Sequence, residues 1–96
     1  MEVTVKISGG TLAQIIGRGD ITVQCEDPIR VIDILNMLEG KFGKPFGDYV
    51  FDRKTGKVQK YLILAVNGVN VSSVKGVDTL IEDHGELLIF SATGGG

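Results

Sequence analysis

One stretch of the chain carries a clear helical period, and the segments on either side carry the period of strands. In "EDPIRVIDILNMLEGKFG", Val31, Ile34, Leu35, Leu38 and Phe42 recur at three- and four-residue spacing and fall along one side of a helix. Asp27 is placed to cap that helix, Pro28 suits a first turn where no amide donor is needed, and Gly43 supplies a stop. Upstream, "EVTVKI" alternates so that Val3, Val5 and Ile7 share a face, and "ITVQC" repeats the alternation through Ile21, Val23 and Cys25. Downstream, "YLILAV" is an apolar run too short for a typical helix. Asn67 and Gly68 follow it and accept the positive φ of a type I′ turn, so "YLILAVNGVNV" reads as a tight hairpin. The final strand is "ELLIFS". A single long helix can cover only one sheet face, so the expected fold is α+β, a small mixed sheet with that helix packed on one side.

The intervening segments read as connections. "SGGTLAQIIGRGD" is a glycine-rich loop between the first two strands, and residues 43–60 form a polar, irregular link with turn or short strand pieces around "YVF". The chain has 96 residues, 43% of them hydrophobic, which suffices for one core and leaves no room for a second domain. Ten basic and twelve acidic residues nearly balance, and the lysines are scattered over the surface, so no field is present to hold nucleic acid. No apolar run approaches the roughly 20 residues of a membrane span. With one cysteine and no signal-peptide pattern, the expected compartment is a reducing cytoplasm.

Chemistry inside the chain is sparse. Cys25 is in phase with Ile21 and Val23 and reads as a small buried hydrophobe. His84 lies in a turn beside Asp83, with no second histidine or nearby cysteine to make a metal site, and one cysteine cannot carry a four-cysteine iron–sulfur cluster. Gly9, Gly10, Gly17 and Gly19 match neither a phosphate loop nor a dinucleotide fingerprint, and Arg18-Gly19-Asp20 reads as a turn before a strand. No metal or cofactor is therefore expected on this chain.

The end of the chain is different. By period two, Leu87 and Ile89 share one face of the last strand, while Leu88 and Phe90 share the other. The helix covers only one of these faces. The second is either an exposed docking patch or is covered by residues 43–60. The chain divides into a domain over residues 1–90 and a glycine-rich tail over 91–96 that extends to about 20 Å. Gly94, Gly95 and Gly96 carry no side chains where a narrow channel would grip backbone, and the terminal carboxylate is a poor acyl acceptor until activated. The chain has no group to activate it, so ATP would have to be used by a partner.

This order of elements, with Val66-Asn67-Gly68 and then "DHGELLIFSATGGG", resembles the β-grasp sulfur carriers, namely the MoaD-like small subunit of molybdopterin synthase and the ThiS-like carrier of thiamine biosynthesis. Val31, Ile34, Leu35 and Leu38 look like the family's helix pattern, and Gly95-Gly96 like its terminal pair. The MoaD-like subunit is the nearer match in length, whereas Ser91, Ala92 and the triple glycine look more like some ThiS-like tails. The resemblance implies that Gly96 is adenylated by a ubiquitin-activating-type adenylyltransferase and converted to a thiocarboxylate. Sulfur then passes to a substrate held by a second enzyme, the molybdopterin synthase large subunit or another sulfur acceptor. Leu88, Phe90 and Gly94 to Gly96 would contact those partners, and the chain itself would be no catalyst. A modifier joined to target-protein lysines would use the same tail.

Overall fold

The N-terminal alternation folds as read. Strand β1 (Glu2–Ser8) buries Val3 and Val5 completely and pairs antiparallel with β2 (Ile21–Gln24), Val3 facing Val23. The computed structural model describes residues 1–17 and 19–91. Strand β4 (Leu62–Val66) turns through Asn67 and Gly68, at φ 50° and 83°, into β5 (Val69–Asn70), giving the tight hairpin that the Asn-Gly pair demands. The last strand, β7 (Glu86–Ser91), lies parallel to β1 and antiparallel to β4. The five-stranded sheet therefore runs β2-β1-β7-β4-β5, and the strand leading to the glycines is its middle member.

The main helix, α2 (Val31–Phe42), buries Val31, Ile34, Leu35 and Leu38 and stops at Gly43, whose φ of 82° a residue with a Cβ would resist. Its start differs from the sequence expectation. Asp27 and Pro28 lie outside it, because Ile29 and Arg30 form a short strand, β3 (Ile29–Arg30), paired with β6 (Leu80–Ile81). Arg30 is then the extended residue before the helix and reaches Asp33 in the first turn at 3.1 Å.

Both presumed loops contain helices. Residues Gly10–Ile16 form α1, which buries Leu12, and Lys44–Val50 form α3, which buries Phe46 and Val50. Tyr49 and Val50 are thus helical rather than strand-like, and only Phe51 makes a bridge, to Val58. Glycines on both sides of Leu12, Ile15 and Ile16 hid a short helical period, and Gly43 with Pro45 hid another. Pro45 sits in the first turn of α3, where a missing amide costs nothing. All three helices join one core with Val3, Val5, Leu64, Leu87 and Ile89, so they lie on the same face of the sheet.

Gly85 just before β7 is held by close packing. A Cβ there would lie 2.5 Å from Ile81 Cγ2 and 2.8 Å from the Glu82 carbonyl oxygen. Gly85→Ala is expected to cost about 1–3 kcal/mol through forced displacement of backbone, read as a lower urea midpoint at unchanged slope.

Candidate functional site: the outer face of the sheet and the end of β7

Strand β7 separates its side chains as period two requires. Leu87 and Ile89 are fully buried under the helices, whereas Leu88 is half-buried and Phe90 is 37% exposed on the opposite face. Register adds two neighbours that the sequence reading did not name. Ile63, 38% exposed, lies opposite Phe90, and Ala65, itself buried, lies opposite Leu88. Together they make an apolar patch on β4 and β7. The available signal was the "LILAV" run itself, since its continuous hydrophobicity requires apolar residues on both faces. Residues 43–60 leave Phe90 and Ile63 open, because α3 buries its apolar side chains among the helices.

The patch has a polar border. Lys6 lies beside Leu88 on β1, and its ammonium group is 3.5 Å from Glu86 at the start of β7. Both partners are well exposed, so this pair marks the border more than it stabilises the fold. At the other end, Phe90 is flanked by Ser8 and Ile63, and Ser91 pairs with Leu62. Ser91, assigned to the tail in the sequence reading, is the last residue of the strand, with its side chain turned to the core face and 5% exposed. Gly94, Gly95 and Gly96 lie outside the described residues. Five residues follow Ser91, and in extended form they reach about 17 Å from the sheet.

The remaining candidates offer no competing chemistry. Burial pushes the Cys25 thiol up from its ordinary range, which opposes thiolate formation. The His84 ring is exposed and lies 3.6 Å from the Asp83 carboxylate, itself held low mainly by the Glu2 amide donating to it at 2.9 Å. His84 takes a φ of 62°, the turn conformation its neighbourhood implied. The Arg18-Gly19-Asp20 turn falls partly outside the described residues. Among the described residues, no group of three His, Cys, Asp or Glu side chains could hold a metal, and no helix is long and apolar enough to cross a membrane.

The exposed Phe90 thus lies on the strand that precedes the glycines in sequence, with the exposed Ile63 beside it on β4. The model of the ThiS family matches residues 9–96. The chain belongs to the ThiS family. No curated protein matches this ThiS-family chain. Among solved structures it is similar to small archaeal modifier protein 1 from Methanosarcina acetivorans, at 27% identity and TM-score 0.79, over 99% of this chain and 96% of that one. It is also similar to a chain of the BexX/CysO complex from Amycolatopsis orientalis, at 23% identity and TM-score 0.73, over 98% and 99% of the two chains. A third similar structure is a putative molybdopterin converting factor, subunit 1, from Pyrococcus furiosus, at 20% identity and TM-score 0.73, over 97% and 99%. The ThiS-family chain shares their β-grasp, ubiquitin-like fold, the α+β class expected from sequence, with three α-helices among the described residues in place of one. Small proteins of the ThiS type are generally carriers and not catalysts.

Proposed function

We propose that this protein is a sulfur carrier that works through the carboxyl group of Gly96. A ubiquitin-activating-type adenylyltransferase docks on Ile63, Ala65, Leu88 and Phe90 and draws Gly94, Gly95 and Gly96 into its active site. There a carboxylate oxygen of Gly96 attacks the α-phosphate of ATP, releasing pyrophosphate and leaving an acyl-adenylate. Sulfide sulfur from a donor then attacks the acyl carbon, AMP leaves, and the glycine ends as a thiocarboxylate. The sulfur is passed to a substrate on a second enzyme. We assign that enzyme as a molybdopterin synthase large subunit, with this chain as its MoaD-like small subunit acting in the cytoplasm. The observation that carries the reading is the exposed Phe90, on the strand that precedes the glycines in sequence, with the exposed Ile63 opposite it on β4.

The similarity to small archaeal modifier protein 1 favours a second reading, in which the activated Gly96 is joined to lysines of target proteins. Activation is common to both readings and to a ThiS-like carrier for thiamine biosynthesis. The products separate them: a thiocarboxylate for a carrier, an isopeptide for a modifier.

The docking surface is tested by Phe90→Asp in an ATP–pyrophosphate exchange assay with an activating enzyme of this class. A charge in place of a central aromatic is expected to remove about 2 kcal/mol or more of binding, raising the KM for this chain about 30-fold or more. The unfolding midpoint should change little, because Phe90 lies outside the core. An unchanged KM would remove Phe90 from the interface.

A further inference from the structure

The core face of β7 reads Leu87, Ile89, Ser91, so a hydroxyl stands where the strand's period calls for a third apolar side chain. A buried hydroxyl is costly unless it is bonded, and an alanine would fill the place without that cost. Ser91 meets the requirement through Tyr49 of α3, whose hydroxyl donates to Ser91 Oγ at 2.9 Å. Tyr49 is itself fixed from a third segment. Its ring lies 5.2 Å from that of Tyr61, just before β4, and the Tyr61 hydroxyl donates to the Tyr49 carbonyl. Three stretches distant in sequence therefore meet at the last described residue of the strand that leads to Gly96.

We infer that Tyr49 is a positioning residue for activation: it fixes Ser91, the last described residue of β7, five positions before Gly96, and so the origin from which the Gly96 carboxyl group reaches. This role rests on the carrier function proposed for Gly96. Ser91 is the last described residue between the docking patch and the reactive end. With Phe90 seated on a partner, the five residues after Ser91 must span a set distance, and loosening of the strand end moves their origin relative to the patch. A misplacement of about 1 Å at a reacting centre can cost up to 100-fold in rate, so a modest loss of anchoring at the origin is expected to lower turnover about 5- to 10-fold. Docking, which uses the opposite face of the strand, is untouched.

The strand end has its own reporter. The Asn67 amide donates to the Glu86 carbonyl at 2.9 Å, and the alternation of an antiparallel ladder then makes Ile63 and Phe90 a pair that exchanges main-chain bonds. Protection of the Phe90 amide thus reads opening next to Ser91 in the free protein.

The test uses Tyr49→Phe, Ser91→Ala and the double variant. The first removes one oxygen and keeps the ring against Tyr61. In each variant, hydrogen exchange at Phe90 is expected to accelerate about 5- to 10-fold relative to wild type, with exchange at Leu87 unchanged. In ATP–pyrophosphate exchange, kcat is expected to fall about 5- to 10-fold at a KM within about twofold of wild type, and the double variant to be no worse than either single one. Unchanged Phe90 exchange overturns the role, because the contact then fixes nothing. Faster exchange with unchanged kcat also overturns it, leaving Tyr49 as a fold contact only. A wild-type chain that activating enzymes of this class do not adenylate contradicts the carrier function itself, and is recognised because it fails without any substitution.

Discussion

Removing Gly95 and Gly96 is expected to abolish adenylation altogether, with no detectable change in thermal unfolding. Two residues fewer shorten the reach from Ser91 by about 7 Å and end the chain on Gly94. The carboxylate would then stop well short of the α-phosphate of a bound nucleotide, outside the reacting distance of about 3–3.5 Å that acyl transfer needs. Stability is expected to hold, because the hydrophobic core of the described residues reaches only to Ile89 on β7, six positions before Gly95. Pyrophosphate exchange and a melting curve on the same sample separate the two effects. Residual exchange above background in the truncated chain would mean that the reactive group is not the Gly96 carboxyl.

The second large effect lies in the core. Phe46 on α3 is among the largest fully buried side chains, and its ring centroid is 6.4 Å from that of Phe42 at the end of α2. Replacing it with alanine leaves a cavity where α1, α2 and α3 meet the sheet, and Phe46→Ala is expected to cost about 3–5 kcal/mol. Against a typical total of about 5–15 kcal/mol, that loss populates the unfolded chain at physiological temperature. It would appear as a large drop in urea midpoint. A cost below about 1 kcal/mol would mean that α3 is a surface appendage and that residues 43–60 form no part of the core.

How far the sequence reveals this molecule depends on how many residues each signal spans. The alternation of Val3, Val5 and Ile7 and the helical run from Val31 to Leu38 are long enough to survive tertiary context, and both appear as read. Asn67 and Gly68 adopt positive φ because few other pairs can do so without strain. Helices α1 and α3 have seven residues each and are bounded by glycines, so their period is barely established before it is broken. The start of α2 was misplaced for another reason. Asp27-Pro28 is a good local helix start, but pairing of Ile29 and Arg30 with Ile81 and Leu80 outweighs it. Such pairing across fifty positions or more leaves no local trace.

The apolar patch on β4 and β7 was half legible. Phe90 and Leu88 follow from period two in the last strand, whereas Ile63 and Ala65 become neighbours only once the register of β4 against β7 is known. Ser91 shows the same limit from the polar side. In sequence it stands both at the end of "ELLIFS" and at the start of the tail, and in the fold it is a buried strand residue held by a tyrosine from α3. The electrostatic reading needed less context. Scattered, exposed pairs such as Lys6 with Glu86 and Arg53 with Asp48 give no concentrated field, in keeping with a protein that meets other proteins.

Delivery of sulfur by Gly96 is the centre of the account, and intact mass reads it directly. The purified protein is incubated with an activating enzyme of this class that is competent on its own carrier, together with ATP and a sulfide donor. The chain lacking Gly95 and Gly96 is treated in parallel. The account predicts a mass gain equal to exchange of one oxygen for one sulfur in the full chain, located to the C-terminal peptide, and no gain in the truncated one. A full chain that is adenylated but never gains sulfur, and instead appears joined to lysines of other proteins, would contradict the carrier function and establish the modifier in its place.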